Sequence, residues 1–103
     1  MPLHENILEF IKWALTAPEN KLAALTHAKD HIRVSFEHGG FQHYFKIADV
    51  GVNVCLHRIT LVNGISNETP MYSYPFESWR NIVLHSRRIA EECDVMFLDL
   101  TRA

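Results

Sequence analysis

Apolar residues near the beginning of the chain recur with the period of a helix. Ile7, Ile11 and Leu15 fall on one side of such a helix, and charged residues occupy much of the other side. Helices at the surface of a globular protein have this amphipathic pattern, because one side packs on the core and the other faces water. The sequence therefore predicts a helix over residues 4–16.

The segment that follows carries the signals of a second helix start. Thr16-Ala17-Pro18-Glu19 has the form of a capping box, and proline is tolerated in the first turn of a helix. Leu22, Leu25 and Ala28 then lie on one side at helical spacing. We therefore predict a short second helix that ends near Asp30.

The period of the pattern changes from helical to two residues at Ile32, and the alternation continues to Ile47 on both sides of Gly39-Gly40. Alternation of this kind is typical of a half-buried strand, and a glycine pair is typical of a tight turn, so the segment predicts a β-hairpin. The apolar face comprises Ile32, Val34, Phe36, His38, Phe41, His43, Phe45 and Ile47. The polar face comprises Arg33, Ser35, Glu37, Gln42, Tyr44 and Lys46.

The register of this hairpin follows from the separation of its two faces. A two-residue turn at Gly39-Gly40 pairs Val34 with Phe45 and keeps the apolar set together. A three-residue turn mixes the two sets, because a slip of one residue moves a strand's side chains to the other face. We therefore predict the two-residue turn, although it places Arg33 opposite Lys46, and opposed like charges are mildly unfavourable.

Two more extended segments follow the hairpin. The apolar alternation of Val52–Val62 changes phase near His57-Arg58, which predicts a β-bulge at that point. Asn63-Gly64 is a strong hairpin turn signal and predicts a fourth strand that returns along the third. Because Pro70 cannot donate to a strand ladder, residues 65–74 are predicted to form an edge strand or a partly looped return.

The C-terminal part predicts one long helix over residues 76–92, where apolar residues again follow the helical period. The short apolar run Val95–Leu100 could extend that helix, but its β-branched and aromatic content favours a final strand. The class predicted is α+β, with a single domain over residues 1–103. Its antiparallel sheet has three to five strands, and the N-terminal and C-terminal helices cover one face of it.

Charge and composition narrow the classes of function. The 103 residues carry a formal net charge of −2, whereas nonspecific nucleic-acid binding relies on an excess of Lys and Arg. The longest apolar run, Val95–Leu98, is far shorter than the ~20 residues of a membrane helix. The first twenty residues lack the continuous apolar stretch of a secretory signal. We therefore expect a cytoplasmic protein without a membrane span, and a nucleic-acid partner is not favoured.

The sequence lacks two cofactor motifs, the P-loop and the dinucleotide fingerprint, and it lacks the nucleophile elbow of serine hydrolases. We therefore expect no cofactor and assign no catalytic residue. Cys55 and Cys93 do not form a Cys-x-x-Cys pair and are expected to be reduced thiols.

The seven histidines are the unusual feature of the composition. His38 and His43 share the apolar hairpin face beside the turn, and Cys55 and His57 lie two apart on the next strand. These four residues are a candidate pocket. Two facing histidines do not make a closed zinc site, so we expect no tightly bound metal, and a nucleophile and base pair would need an orienting third group.

A candidate interface is formed by four aromatic residues at the end of the irregular strand and just after it: Tyr72, Tyr74, Phe76 and Trp79. Tyrosine and tryptophan are enriched at the centres of interfaces because they combine a large apolar area with a polar group. The alternative is that these rings pack the long helix onto the sheet.

These features favour a small non-catalytic binding or interaction protein that self-associates, with a homodimer as the expected assembly and its protein partner unidentified. Small stand-alone domains of this kind include accessory proteins of bacteria and of mobile elements. The alternative is a small-ligand or metal-binding protein, or an enzyme, with a pocket between sheet and helices. A nucleic-acid module that uses Arg80, Arg87 and Arg88 is the third hypothesis.

Overall fold

The computed structural model describes residues 4–101, which form two helices and one six-stranded sheet. The elements in chain order are α1 (Ile7–Thr16), β1 (Lys21–His27), β2 (His31–His38), β3 (Phe41–Asp49), β4 (Asn53–Val62), β5 (Ile65–Pro75), α2 (Trp79–Glu92) and β6 (Met96–Asp99). The strand order across the sheet is β5-β4-β3-β2-β1-β6. Strands β1 to β5 pair antiparallel, and β6 runs parallel to β1. The α+β class is confirmed, but the sheet is mixed and has six strands rather than three to five antiparallel ones.

The central hairpin has the predicted register. Val34 pairs with Phe45, and Arg33 stands opposite Lys46. The turn glycines Gly39 and Gly40 have φ angles of 62° and 81°, which is the left-handed backbone that a two-residue turn of this type requires. The turn and the two-residue alternation act together here, so both faces are defined by local sequence.

The predicted second short helix is wrong, because its residues form strand β1. The chain leaves α1 in an extended conformation before Pro18, and the Asn20 side-chain amide donates to the carbonyl oxygens of Trp13 at 3.1 Å and Ala14 at 3.4 Å. Strand β1 then pairs with β2 on one side and with β6 on the other, and its Leu25 is buried in the core. Pairing between distant segments outweighs the local helical spacing.

The bulge occurs at the predicted place but in a different strand. Leu56 pairs with Tyr72 and His57 pairs with Pro70, so the extra residue is Met71 of β5. Strand β4 pairs with β3 without interruption from Val54 to Ile59. The phase change in β4 is therefore not a bulge in that strand: its apolar side chains lie on one face of the sheet up to Leu56 and on the other face from Ile59.

Strand β5 lies at the edge of the sheet, which confirms the role expected from Pro70. The last helix, α2, begins at Trp79, later than predicted. Ser78 caps its start, because the Ser78 side chain accepts a hydrogen bond from the backbone N–H of Asn81. The C-terminal apolar run forms β6, as its composition favours. Neither helix within residues 4–101 is long and apolar enough to cross a membrane.

Both helices pack on the same face of the sheet, as predicted, and we call this the helix-covered face. The buried core comprises Ile7, Phe10, Ile11, Ala14, Leu15, Leu25, Ile32, Val34, Phe36, Phe45, Ile47, Val54, Leu56, Tyr74, Ile82 and Ala90. Neither α1 nor α2 covers the opposite face, which we call the helix-free face.

Candidate functional site

The helix-free face of the sheet contains a concave cavity of about 500 Å³. Residues of five strands line it: Ala24, Thr26, Arg33, Val34, Ser35, Tyr44, Phe45, Lys46, Ile59, Leu61, Ser66 and Glu68. Small-molecule sites in proteins usually measure ~300–1,000 Å³ and combine apolar walls with a few polar groups. The volume and the mixed lining of this cavity fit that description.

Three charged side chains line the cavity, and they come from β2, β3 and β5. Lys46 Nζ forms an ion pair of 3.1 Å with Glu68 Oε1. His57 Nδ1 lies 3.7 Å from the other carboxylate oxygen of Glu68. Arg33 on β2 pairs with Lys46 on the neighbouring strand β3. The lining therefore holds two cations and one carboxylate, although the whole chain carries a net charge of −2.

The Arg33 guanidinium is oriented by a chain of hydrogen bonds that runs back to Asp30, the residue before β2. Its Nε–H donates to His31 Nε2 at 3.2 Å, and His31 Nδ1 bonds Asp30 Oδ1 at 2.8 Å. These partners are satisfied together when the His31 ring carries its proton on Nδ1. The hydrogen bond from His31 lowers the pKa of the exposed Asp30 carboxyl below its ordinary value.

His38 and His43 lie together on the helix-covered face, near the end of the hairpin. Their ring centroids are 6.2 Å apart, and His38 Nδ1 bonds Asn20 Oδ1 at 2.6 Å. His43 stacks on Phe36 at 5.6 Å, and its Nε2 bonds the His38 carbonyl oxygen at 3.3 Å. Backbone, amide and aromatic neighbours thus engage both imidazoles.

Cys55 and His57 lie on the helix-free face, since they alternate with the buried Val54 and Leu56. The sheet thus separates the candidate pocket residues into two pairs on opposite faces. Cys55 Sγ lies 3.9 Å from the hydroxyl oxygen of Ser73, which is not a general base. Within residues 4–101, no group of three or more His, Cys, Asp or Glu side chains is placed to hold a metal ion.

The aromatic candidate interface divides between core and surface. Tyr74 is only 3% exposed and belongs to the core, and burial raises the pKa of its phenol. Tyr72 and Trp79 are half-buried and pack against the same core. Phe76 is 63% exposed in the connection that leads to α2. The alternative of packing the helix onto the sheet accounts for the first three residues.

A smaller cavity lies between α1 and the sheet, on the side where the sequence predicted a pocket. It measures about 120 Å³, and its lining comprises His4, Phe10, Trp13, Phe45, Leu56, Arg58, Met71, Tyr72 and Tyr74. The Arg58 guanidinium lies 5.2 Å from the centre of the Phe45 ring, within cation–π distance. A volume of this size is well below the usual range for small-molecule sites.

Sequence reasoning missed the cavity on the helix-free face because it treated the phase change in β4 as a bulge. Ile59 and Leu61 fall on the same face as Tyr44 and Lys46, and a change of face in β4 would have indicated an amphipathic surface. Comparisons of the chain with protein-family models, curated proteins and solved structures find no match. The candidate site therefore rests on its own geometry.

Proposed function

We propose that this chain is a small non-catalytic binding protein and that the helix-free face receives its ligand. The observation that carries the proposal is the cavity of about 500 Å³ on a sheet face that neither helix covers. Tyr44 is 44% exposed and Leu61 is 65% exposed there, so apolar area is accessible beside charged groups. Such a surface suits a molecule that has both an apolar and a polar part.

The test is side-chain methyl NMR with three probes that share an eight-carbon tail: octanoate, octylammonium and 1-octanol. We expect at least one probe to shift the methyl signals of Ile59 and Leu61, which line the cavity. The methyl signals of Ile82, buried in α2 on the other side of the sheet, serve as the matched control. If all three probes leave Ile59 and Leu61 unchanged, the proposal fails.

Self-association is the second candidate function, and the edge strand β5 favours it. Because a two-residue turn makes Val62 and Ile65 a hydrogen-bonded pair, Ser66 and Glu68 direct their backbone groups away from β4. Ile65 is 66% exposed beside this free edge. Exposed edges of this kind pair with other strands, and twofold dimers are the commonest outcome.

The edge also contains features that limit such pairing. Pro70 has no N–H to donate, and the bulge at Met71 interrupts the strand. We therefore place the dimer contact at the first residues of β5 rather than at the aromatic residues that follow.

The two free thiols, Cys55 and Cys93, support a cytoplasmic location for this protein.

Sedimentation velocity over a range of concentrations tests the dimer. We expect a dimer at high micromolar concentration for the wild type and a monomer for Ile65→Lys, since lysine on an edge strand opposes pairing. Val52→Lys is the control, because Val52 is 77% exposed but lies outside the strands. A wild-type protein that stays monomeric would end this second proposal.

A further inference from the structure

Arg33 and Lys46 place like charges at opposed positions in the wall of the cavity on the helix-free face. They stand directly opposite each other on β2 and β3, where Cβ atoms are ~4.5–5.5 Å apart. Like charges at such positions repel, and departures from local rules of this kind concentrate at functional sites. An anion placed between the two side chains turns the repulsion into two attractions.

The count of charges around the cavity indicates the charge of the ligand. Lys46 already has a partner in Glu68, at 3.1 Å. With histidines neutral, the two cations and one carboxylate of the lining leave one positive charge. One negative charge balances it, which fits a carboxylate better than a phosphate monoester, whose charge at pH 7 is about −1.5 to −2.

The geometry of Arg33 also suits a carboxylate. Its Nε–H donates to His31, and this bond fixes the plane of the guanidinium. The two terminal nitrogens take no part in that bond. Planar guanidinium groups bind carboxylates through two parallel hydrogen bonds, and such charge-assisted bonds are stronger than neutral ones. Arg33 is itself exposed, so a ligand can reach it from solvent.

Apolar side chains continue the cavity away from the two cations. Ala24 contributes from β1, and Ile59 and Leu61 contribute from β4. Leu61 is 65% exposed, so covering it removes apolar area from water. A ligand that satisfies both regions has a charged end and an apolar body.

We propose that the cavity binds a small amphipathic carboxylic acid, with the carboxylate held by Arg33 and Lys46 and the apolar body against Ile59 and Leu61. This inference rests on the ligand-binding function proposed above and names the class of ligand for the same cavity.

Isothermal titration calorimetry with octanoate, octylammonium and 1-octanol tests the class of ligand. We expect octanoate to bind more tightly than the other two, and we expect its affinity to fall as salt is added. Arg33→Gln should weaken octanoate binding by about tenfold or more, because it removes a charge-assisted contact. Arg88→Gln is the matched control, since Arg88 is exposed on α2, away from the cavity.

Lys46→Gln provides a second variant, and it should also weaken octanoate binding while leaving 1-octanol unaffected. Equal binding of octanoate and 1-octanol, or tighter binding of octylammonium, would overturn the choice of a carboxylate and leave the ligand-binding function standing. Unchanged octanoate affinity in both Arg33→Gln and Lys46→Gln would overturn the proposed anchor. If no probe binds, the inference and the function on which it rests fail together.

Discussion

The two faces of the sheet are built from alternate residues of the same strands, yet they have opposite properties. On the helix-covered face, Val34 and Ile47 are at most 1% exposed. On the helix-free face, their strand neighbours Arg33 and Lys46 carry charge into a solvent-accessible cavity. One face holds the fold together, and the other is available for binding.

Strand β4 shows how this separation changes along the chain. Val54 and Leu56 pack on the helix-covered face, whereas Ile59 and Leu61 lie on the helix-free face. The apolar residues of β4 therefore belong to the core in its first half and to the cavity in its second half. Because the second pair forms the apolar wall of the cavity, the phase change in the apolar pattern of β4 indicates where the candidate site lies.

The largest effect on stability is expected from a substitution in the core of the helix-covered face. Phe45→Asp should cost at least about 4 kcal/mol of unfolding free energy, because it removes a buried ring and adds an unpaired charge. Phe45 is 4% exposed and packs at 5.2 Å from Phe10 and 5.6 Å from Phe36, measured between ring centroids. Urea unfolding measures the loss. Gln42→Asp, on the exposed polar side of the same strand, should cost little, and equal losses would contradict the two-face description.

The second effect concerns the aromatic residues around the end of β5. Tyr74→Ala should cost about 3 kcal/mol, because Tyr74 is 3% exposed within the core. Phe76→Ala should change stability by less than about 0.5 kcal/mol, since Phe76 is 63% exposed. Thermal unfolding combined with sedimentation compares the two variants. A stable but monomeric Tyr74→Ala protein, made from a dimeric wild type, would place Tyr74 in an interface instead.

The central hairpin was predictable because all of its determinants are local. Gly39-Gly40 sets the turn, and the alternation from Ile32 to Ile47 sets the faces. Strand β1 was not predictable by the same reasoning. Leu22, Leu25 and Ala28 have helical spacing, but β1 lies between β2 and β6, and those contacts come from distant parts of the chain.

The candidate site was predictable only in part. The polar hairpin face, with Arg33, Tyr44 and Lys46, followed from alternation, and it forms one wall of the cavity. The wall from β4 did not follow, since a phase change has the same appearance in sequence whether it marks a bulge or a change of face. Pairing of β4 with β3 settles the choice, and pairing is a property of the folded sheet.

A smaller effect is expected on the helix-free face, at the opposed charges of Arg33 and Lys46. Without ligand, Arg33→Gln should stabilise the protein by roughly 0.2–1 kcal/mol, because it removes the repulsion from Lys46. The gain should shrink at high salt, which screens exposed charges. Urea unfolding at low and high salt measures it. Arg88→Gln should show no comparable gain, and a destabilised Arg33→Gln protein would mean that the opposed charges do not repel in this setting.

The smallest effect concerns Asp30, the residue before β2, where a hydrogen bond from His31 lowers the pKa of the carboxyl below its ordinary value of 3.8. Because the pKa is lower in the folded protein, this bond stabilises the fold above that ordinary value. The contribution is lost as the pH falls through the folded pKa. His31→Gln should therefore raise the pKa of Asp30 towards 3.8. Carboxyl carbon NMR over an acid titration measures this change.

His85→Gln is the control for that titration, since His85 lies on α2 and Asp30 precedes β2. It should leave the pKa of Asp30 where it is in the wild type. The same experiment examines the orientation of Arg33, because His31 bonds both Asp30 and the Arg33 Nε–H. If His31→Gln shifts the pKa of Asp30 and also weakens octanoate binding, the hydrogen-bond chain positions the guanidinium. If only the pKa moves, the strand backbone and Lys46 suffice to place the anion.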